Sequence, residues 1–456
     1  MHIGIIGAGA AGVSLLDALA QKVDQTTAGS VVVVEGAASL WRGRAYQPDL
    51  DAVRVNAPPV LMSVRHQDPQ HYQRWLGERD GYVDRLLGVP IVPRAVYGEY
   101  LQATAETAVC RLRDHGWRVE VIEDWATSAL PLRTAGGVTR PVDQVVVSVG
   151  GGRPIDHYGL AGSPGFVQDP YPLATTLAGI GTGSQVAVIG SGLTAVDIVA
   201  GLVASGHNGP ITMLSRRGVL PEVQQRPVQF EFRHLSRETL PSTFSGLVSL
   251  LEAELAEYGQ KLAPLVQEVL AREDPVERLR RQLDEVDGPH LGRRMLTAAI
   301  HRLGAAAWHR LLPGDREFLF TEHFRTINSL ASPMVPLNAE IVLRSIDSGQ
   351  LRLAGGLRSI EAAAGGFRIV GTDVLRADVV VNAVNPPVHA IPGETAALVR
   401  SLLASGAVSS PPSGGLSART GQVHLLGGIA ADNSFVTPSL MSVAAAAHAI
   451  ADRLPA

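Results

Sequence analysis

The sequence predicts an α/β fold in which two doubly wound parallel sheets share one chain, the second spliced into the middle of the first. Three observations predict it. A strand–glycine–helix pattern occurs twice, opening the chain and returning near residue 190. Apolar, β-branched runs elsewhere end in adjacent glycines: 144–149 leads into Gly150-Gly151-Gly152, and 423–426 into Gly427-Gly428. Buried parallel strands read as such runs, and their C-terminal ends are where these sheets meet ligands. The third observation is a helical stretch, 229–336, that interrupts the second unit.

In the first pattern, His2–Ile6 leads into Gly7-Ala8-Gly9-Ala10-Ala11-Gly12 and a helical stretch reaching Ala20. In the second, Val186-Ala187-Val188-Ile189 leads into Gly190-Ser191-Gly192-Leu193-Thr194-Ala195 and a helix over 196–204. Each is G-x-G-x-x-G/A in the strand-to-helix context of a dinucleotide-binding turn. The first Gly makes the tight turn and the second lets a pyrophosphate approach the backbone. The third position is small so that helix and strand pack closely. The helix N-terminus offers free N–H groups and a positive dipole end to the phosphates. A lone motif reads equally as a glycine-rich turn without ligand; two in register, each with a fitting strand end, argue against that.

The strands that follow end in opposite chemistry. Residues 31–34 run into Glu35, an acceptor for a ribose diol, whereas Ile211-Thr212-Met213-Leu214 runs into Ser215-Arg216-Arg217. Donors and cations suit a 2′-phosphate, although a solvated strand end is the alternative for the two arginines. One site thus reads as that of an unphosphorylated adenosine dinucleotide and the other as that of NADP. Two such ligands in one chain point to a flavin, FAD, and its reductant, NADPH. The motifs place Gly7, Gly9, Ala10, Ala11, Gly12, Glu35 and Gly150 at the first site. They place Gly190, Ser191, Gly192, Leu193, Thr194, Ser215, Arg216 and Arg217 at the second.

The remaining elements follow in order. A turn-rich segment spans 40–46, a helix contains Tyr72, Trp75 and Leu76, and another runs from near Val92 to about Leu112. Short meander strands are expected at 117–122 and 129–134. After the second unit, Leu247, Leu250, Leu251, Leu255 and Tyr258 recur at helical spacing, predicting one long helix over 244–271. Helical character continues over 276–286 and 291–312, and the alternating charges of 273–287 read as a solvated face. Strands are expected at 340–342, 351–353, 367–370 and 378–381, and an Ala-rich helix closes the chain over 440–454.

The pattern therefore predicts two Rossmann-like dinucleotide-binding domains. The FAD-binding domain is split between 1–168 and 391–456, and the NADPH-binding domain inserted in it comprises 169–228 and 337–390. A helical insertion, 229–336, is expected by elimination to form the substrate pocket. Arg325 and Asn328, returning from it toward the core, are the expected contacts of a small-molecule substrate; 326–332 reads equally as a capped loop.

Composition narrows the classes. At 456 residues, two to four domains are expected. A net charge of −4 gives no reason to expect nucleic acid. Cys110 is the only cysteine, which excludes an internal disulfide and a C-x-x-C redox pair. Beside Val109 and Leu112 it reads as a buried structural thiol. The apolar start lacks a basic leader and no apolar run reaches membrane-span length, so a cytoplasmic, bacterial-type enzyme without membrane partner is expected. The fourteen histidines are scattered, and neither His66 with His71 nor His301 with His309 has a third partner, so no metal is expected. Self-association as a homo-oligomer is left open.

Four stretches resemble the FAD–NAD(P)-binding family of bacterial two-dinucleotide-binding flavoproteins. They are the first glycine motif with Glu35; Gly43-Arg44-Ala45-Tyr46 with Val55-Asn56-Ala57-Pro58 and Met62-Ser63; Pro93-Arg94 with Tyr97-Gly98-Glu99-Tyr100-Leu101; and Leu214-Ser215-Arg216-Arg217-Gly218 with Pro221. The layout is similar to class B flavin-dependent monooxygenases, and Leu40-Trp41-Arg42 resembles a stretch of the flavin-containing monooxygenases. The Baeyer–Villiger F-x-G-x-x-x-H-x-x-x-W fingerprint is absent, and Gly150-Gly151-Gly152 stands where Ala-Thr-Gly is commoner.

The resemblance implies flavin contacts at Trp41, Arg42, Arg44, Asn56, Met62, Gly427 and Asp432, with Asn56 as the catalytic residue that hydrogen-bonds the oxygenated flavin. Asn56 reads equally as a cap of the turn before Pro58-Pro59, and Asp432-Asn433-Ser434 as a cap of the last helix. The implied activity is an NADPH-dependent FAD monooxygenase: NADPH reduces the flavin, O₂ adds at C4a, and the peroxyflavin oxygenates a small nucleophile, an amine or amino acid. An electron-passing reductase and a flavin-bound sensor stay open as alternatives.

Overall fold

Both glycine-motif strands lie at the centre of their sheets. The computed structural model describes residues 1–24, 28–78, 80–216, 218–271, 273–386, 390–411, 414–431 and 439–454. The first sheet is parallel throughout, in the order Val423–Leu425, Gln144–Val147, His2–Ile6, Ser30–Val34, Arg118–Ile122. It draws strands from both ends of the chain. The second is parallel too, in the order Phe166–Val167, Val379–Asn382, Val186–Ile189, Ile211–Leu214, Leu351–Ala354. Ile6 pairs with Val34 and Val147, and Ile189 with Leu214 and Asn382, so in each sheet three strands end level beside the glycine turn. The fold class is the predicted one: two Rossmann-like units, one inserted in the other.

Several elements differ from the sequence reading. Residues 117–122 do not form a meander: Arg118–Ile122 is the edge strand of the first parallel sheet. The segment expected as one strand at 129–134 divides into Ala126–Ala129 and Leu132–Thr134. The single helix expected over 244–271 is two, Phe244–Glu257 and Ala263–Leu270, broken where Gly259 takes a φ of +66°. The strand expected at 340–342 lies inside the helix Pro336–Asp347. Its first turn is fixed from afar, since the Asp84 carboxylate accepts the Leu337 N–H at 3.0 Å. Residues 326–332 are not a loop, because Phe324–Ala331 is helical. Cys110 is exposed, not buried: on helix Arg94–Asp114 the core face carries Ala105, Ala108, Val109 and Leu112, and position 110 points away.

Two main cores sit on these sheets. One packs the helices Ala10–Lys22, Arg94–Asp114 and Leu440–Arg453 against the first sheet. The other gathers Val186, Val188, Val199, Met213, Val342 and Leu351, and also Val53, Leu87 and Ile91 from far upstream. The stretch around 50–91 is thus shared with the second sheet's core, although the sequence pattern attaches it to the first.

Candidate functional site

The two glycine turns are built alike. Gly7 has φ +98° and donates its N–H to Val34 O at 2.8 Å; Gly190 has φ +113° and donates to Leu214 O at 2.7 Å. Only glycine adopts such φ values without strain. Gly9 and Gly192 then start their helices in nearly identical extended conformations, neither with a side-chain cap. The first helical N–H groups are thereby left for an anion. The third small position packs helix on strand: a Cβ on Gly12 would lie 2.2 Å from Gly7 O, and Ala195 is fully buried.

Around the first turn, glycines from distant segments converge. Gly9 lies against Gly43, whose Cβ would come within 3.1 Å of the Gly9 Cα. A Cβ on Gly427 would sit 3.6 Å from the Ala11 Cβ, and one on Gly428 3.9 Å from Gly150 O. Cβ positions on Gly150 and Gly151 meet nothing within 4 Å. Ser148 ties the strands together, its Oγ donating to Gly7 O at 2.8 Å. The Glu35 carboxylate accepts from the N–H of Ala8 at 2.9 Å and of Ala37 at 3.0 Å, which fixes it beside the turn. These residues make an open backbone cradle of the kind a pyrophosphate and a flat ring system require.

The remaining residues expected here are placed variously. Trp41 is buried with φ +65°, the only positive φ outside glycine among the described residues. Strain of that kind gathers at functional sites. Arg42 forks onto Gln102 Oε1 at 3.0 and 3.2 Å, and Arg44 pairs with Asp169. Met62 is buried in the first core, its carbonyl accepting from the Tyr97 hydroxyl at 2.9 Å, which leaves it little surface for a ligand. Asn56 is exposed, and the 3₁₀ turn Pro59–Leu61 that follows has no side-chain cap. Ala10 and Ala11 are half-buried at the helix start. Asp432, Asn433 and Ser434 lie outside the described residues, as does Arg217.

At the second turn, a Cβ on Gly192 meets nothing within 4 Å. Ser191 Oγ donates to Val219 O at 2.6 Å, Thr194 Oγ1 to Asn385 Oδ1 at 3.1 Å, and Leu193 is half-buried. Ser215 Oγ accepts the Gly218 N–H at 2.6 Å, shaping the strand end. Arg216 is exposed there; burial pushes the Tyr158 hydroxyl up, and Arg216 pulls it back. A cavity of about 230 Å³, lined by Leu214, Gly355, Leu357 and Thr372 among others, adjoins this end.

The insertion docks on the chain leaving the second site. Ser329 Oγ, in helix Phe324–Ala331, accepts from Glu222 N at 3.0 Å, and Met334 exchanges two backbone bonds with Glu222 and Gln224. Asn328 is exposed on that helix; Arg325 belongs to the same helix, its side chain outside the described set.

A buried polar cluster went unread in the sequence. The Asp197 carboxylate accepts from Arg94 Nη2 at 2.6 Å and from the Tyr171 hydroxyl at 2.5 Å. Arg94 Nε donates to Arg54 O at 3.1 Å. Burial works against the Arg94 charge, but Asp197, Tyr171 and Tyr46 outweigh it and raise its pKa. Pro93-Arg94 stood in the family-like stretches, but nothing local names its partner. Among the described residues no group of His, Cys, Asp and Glu could hold a metal, and no helix is long and apolar enough to cross a membrane.

Residues 4–152 match the FAD-NAD(P)-binding family. A search of curated proteins returned no match. Among solved structures, L-lysine 6-monooxygenase from Pseudomonas syringae aligns with a TM-score of 0.59 at 16% identity, over 99% of this chain and 98% of that one. Reduced ornithine hydroxylase from Pseudomonas aeruginosa gives 0.56 at 16% identity, over 99% and 98%. The ornithine N-hydroxylase of Kutzneria sp. 744, with reduced FAD, NADP⁺ and L-ornithine, gives 0.55 at 13% identity, over 99% and 97%. At these identities the likeness is one of fold. The fold that the matches share with this chain is that of two dinucleotide-binding domains in one polypeptide.

Proposed function

We propose that this protein is an NADPH-dependent FAD monooxygenase that oxygenates a small nucleophile, with N-hydroxylation of an amine or amino acid favoured. The observation that carries the reading is the pair of equivalent glycine turns, one followed by Glu35 and the other by Ser215-Arg216, within a fold that aligns end to end with ornithine and lysine hydroxylases.

The residues present fit both cofactors. Gly7, Gly9 and Gly12 with Gly43, Gly150 and Gly427 would hold FAD, leaving room that any side chain would fill. Glu35 would take its ribose. Gly190, Gly192 and the helix they open would hold the NADPH pyrophosphate, and Arg216 its 2′-phosphate. When bound, the flavin supplies the redox chemistry and activation of oxygen, while the protein supplies position and polarity. The exposed Asn56 amide would offer the flavin a donor and an acceptor. The insertion, through Arg325 and Asn328, would bind and orient the substrate.

The test is to purify the protein with its flavin and supply NADPH, O₂ and a panel of small amines including ornithine and lysine. A product heavier by one oxygen, formed in step with NADPH consumption, is expected. Hydrogen peroxide equal to NADPH consumed with every amine, and no oxygenated product, would overturn the reading in favour of an oxidoreductase without oxygenation.

A further inference from the structure

We propose that Arg94, Asp197 and Tyr171 form a clamp that sets the angle between the two dinucleotide units, making them positioning residues for the transfer of hydride between the cofactors. The inference rests on the function proposed above. Arg94 is the first residue of helix Arg94–Asp114, which packs on the first sheet's core. Asp197 lies one turn into helix Leu193–Ala204, the helix opened by the second glycine turn. Its carboxylate is 3% exposed and the Arg94 guanidinium 18%.

Tyr171, on the connection between the second sheet's strands Phe166–Val167 and Val186–Ile189, donates to the same Asp197 oxygen that Arg94 reaches. Its ring centroid lies 5.3 Å from the Arg94 guanidinium carbon and 5.7 Å from that of Arg44. Arg44 is in turn paired with Asp169, and its neighbour Gly43 touches Gly9 of the first turn. A continuous run of contacts therefore joins the first glycine turn to the helix that the second one opens: Gly9, Gly43, Arg44, Tyr171, Asp197. Asp49 adds a further tie by accepting the N–H groups of Leu173 and Ala174 at 3.0 and 2.7 Å.

On that reading each unit would hold one dinucleotide, so their mutual angle would fix the distance between nicotinamide and flavin. The chemistry the bound cofactors would supply is transfer of a hydride from C4 of NADPH to N5 of the flavin, which would oxidise the nicotinamide and reduce the flavin by two electrons. Such transfer needs the reacting atoms about 3–3.5 Å apart, and a misplacement of about 1 Å costs on the order of a hundredfold. A buried ion pair resists that drift because separating its partners leaves a charge without compensation in a low-dielectric site. None of the three belongs to a glycine turn or a strand end, so the clamp sets geometry without binding either cofactor.

The experiment compares wild type with Tyr171→Phe, which keeps the ring and loses the hydroxyl, and with Asp197→Asn, all as flavin-loaded protein. Expected are a flavin-reduction rate at saturating NADPH lowered roughly ten- to a hundredfold, an NADPH dissociation constant within about twofold of wild type, and full flavin content. Amide hydrogen exchange should quicken over 168–175 and 193–200 and stay unchanged over 2–22. Should both variants keep wild-type reduction rates and wild-type exchange, the clamp is refuted. A general loss of protection across both sheets would also refute it, since that marks a merely structural pair. If NADPH fails to reduce the wild-type flavin, the functional reading falls while the exchange comparison still decides the clamp.

Discussion

Replacing Gly9 and Gly12 separately by alanine should divide ligand binding from folding at the first turn. A Cβ on Gly12 would sit 2.2 Å from Gly7 O and 3.1 Å from Gly7 C, both backbone atoms that cannot step aside. Overpacking of that sort costs about 1–3 kcal/mol or more, so Gly12→Ala should destabilise the apoprotein as well as strip its flavin. A Cβ on Gly9 meets only Gly43, at 3.4 and 3.9 Å, which is ordinary contact. With φ −75° and ψ −166°, Gly9 is already in a conformation open to alanine. Restricting the unfolded chain should then stabilise the Gly9→Ala apoprotein by about 0.4–1 kcal/mol. The same methyl occupies the space of a pyrophosphate, and a loss of about 2 kcal/mol in flavin affinity, roughly thirtyfold, is expected. At a flavin concentration near 100 times the wild-type Kd, ligand stabilises wild type by about 2.7 kcal/mol and the variant by only about 0.9. Urea unfolding with and without FAD, together with flavin absorbance after gel filtration, measures both quantities. A Gly9→Ala protein that keeps its colour and the full holo–apo difference in stability would show that this turn does not hold the flavin.

Other outcomes follow from the same geometry. Gly192→Ala, where a Cβ meets nothing within 4 Å, should weaken NADPH binding roughly tenfold with flavin content intact, and Arg216→Ala should narrow the preference for NADPH over NADH by a similar factor; titration of flavin reduction reads both. The native protein should react fully with an aromatic disulfide reagent at the exposed Cys110, and Cys110→Ser should leave stability within about 0.5 kcal/mol of wild type. Burial holds His71, His301 and His424 below the ordinary histidine value, with Arg65 adding to the effect at His71 and Arg453 at His424. The unfolded chain therefore binds more protons than the folded one below about pH 6.5, so stability is complete above that value and falls as the pH drops toward the folded values. Urea midpoints between pH 7.5 and 5 should show the slope, and His301→Gln should flatten it.

What was legible in the sequence was chemistry confined to a few consecutive residues. A positive φ at Gly7 and Gly190, and small residues at Gly12 and Ala195, are demands that a turn makes on its own residues, so the turns could be placed without a partner in sight. The parallel strands were legible for a related reason: burial on both faces requires runs such as 31–34 and 186–189. The expected strand at 340–342 failed because Ile341 and Val342 favour a strand locally, whereas Pro336 and a cap from Asp84 start a helix that packs on the helix Leu193–Ala204.

The sequence by itself thus determined that two glycine turns of the dinucleotide-binding kind exist, and that one unit is inserted in the other. Only the tertiary structure decided what joins them. Asp197 meets Arg94 across 103 residues and Tyr171 across 26, and Val53, Leu87 and Ile91 enter a core built mostly from residues beyond 170. Such pairings depend on where folded elements bring side chains in space, and no periodicity or short motif records that distance. The exposure of Asn56 and Cys110 was decided the same way, by which face of a turn or helix the neighbouring elements left uncovered.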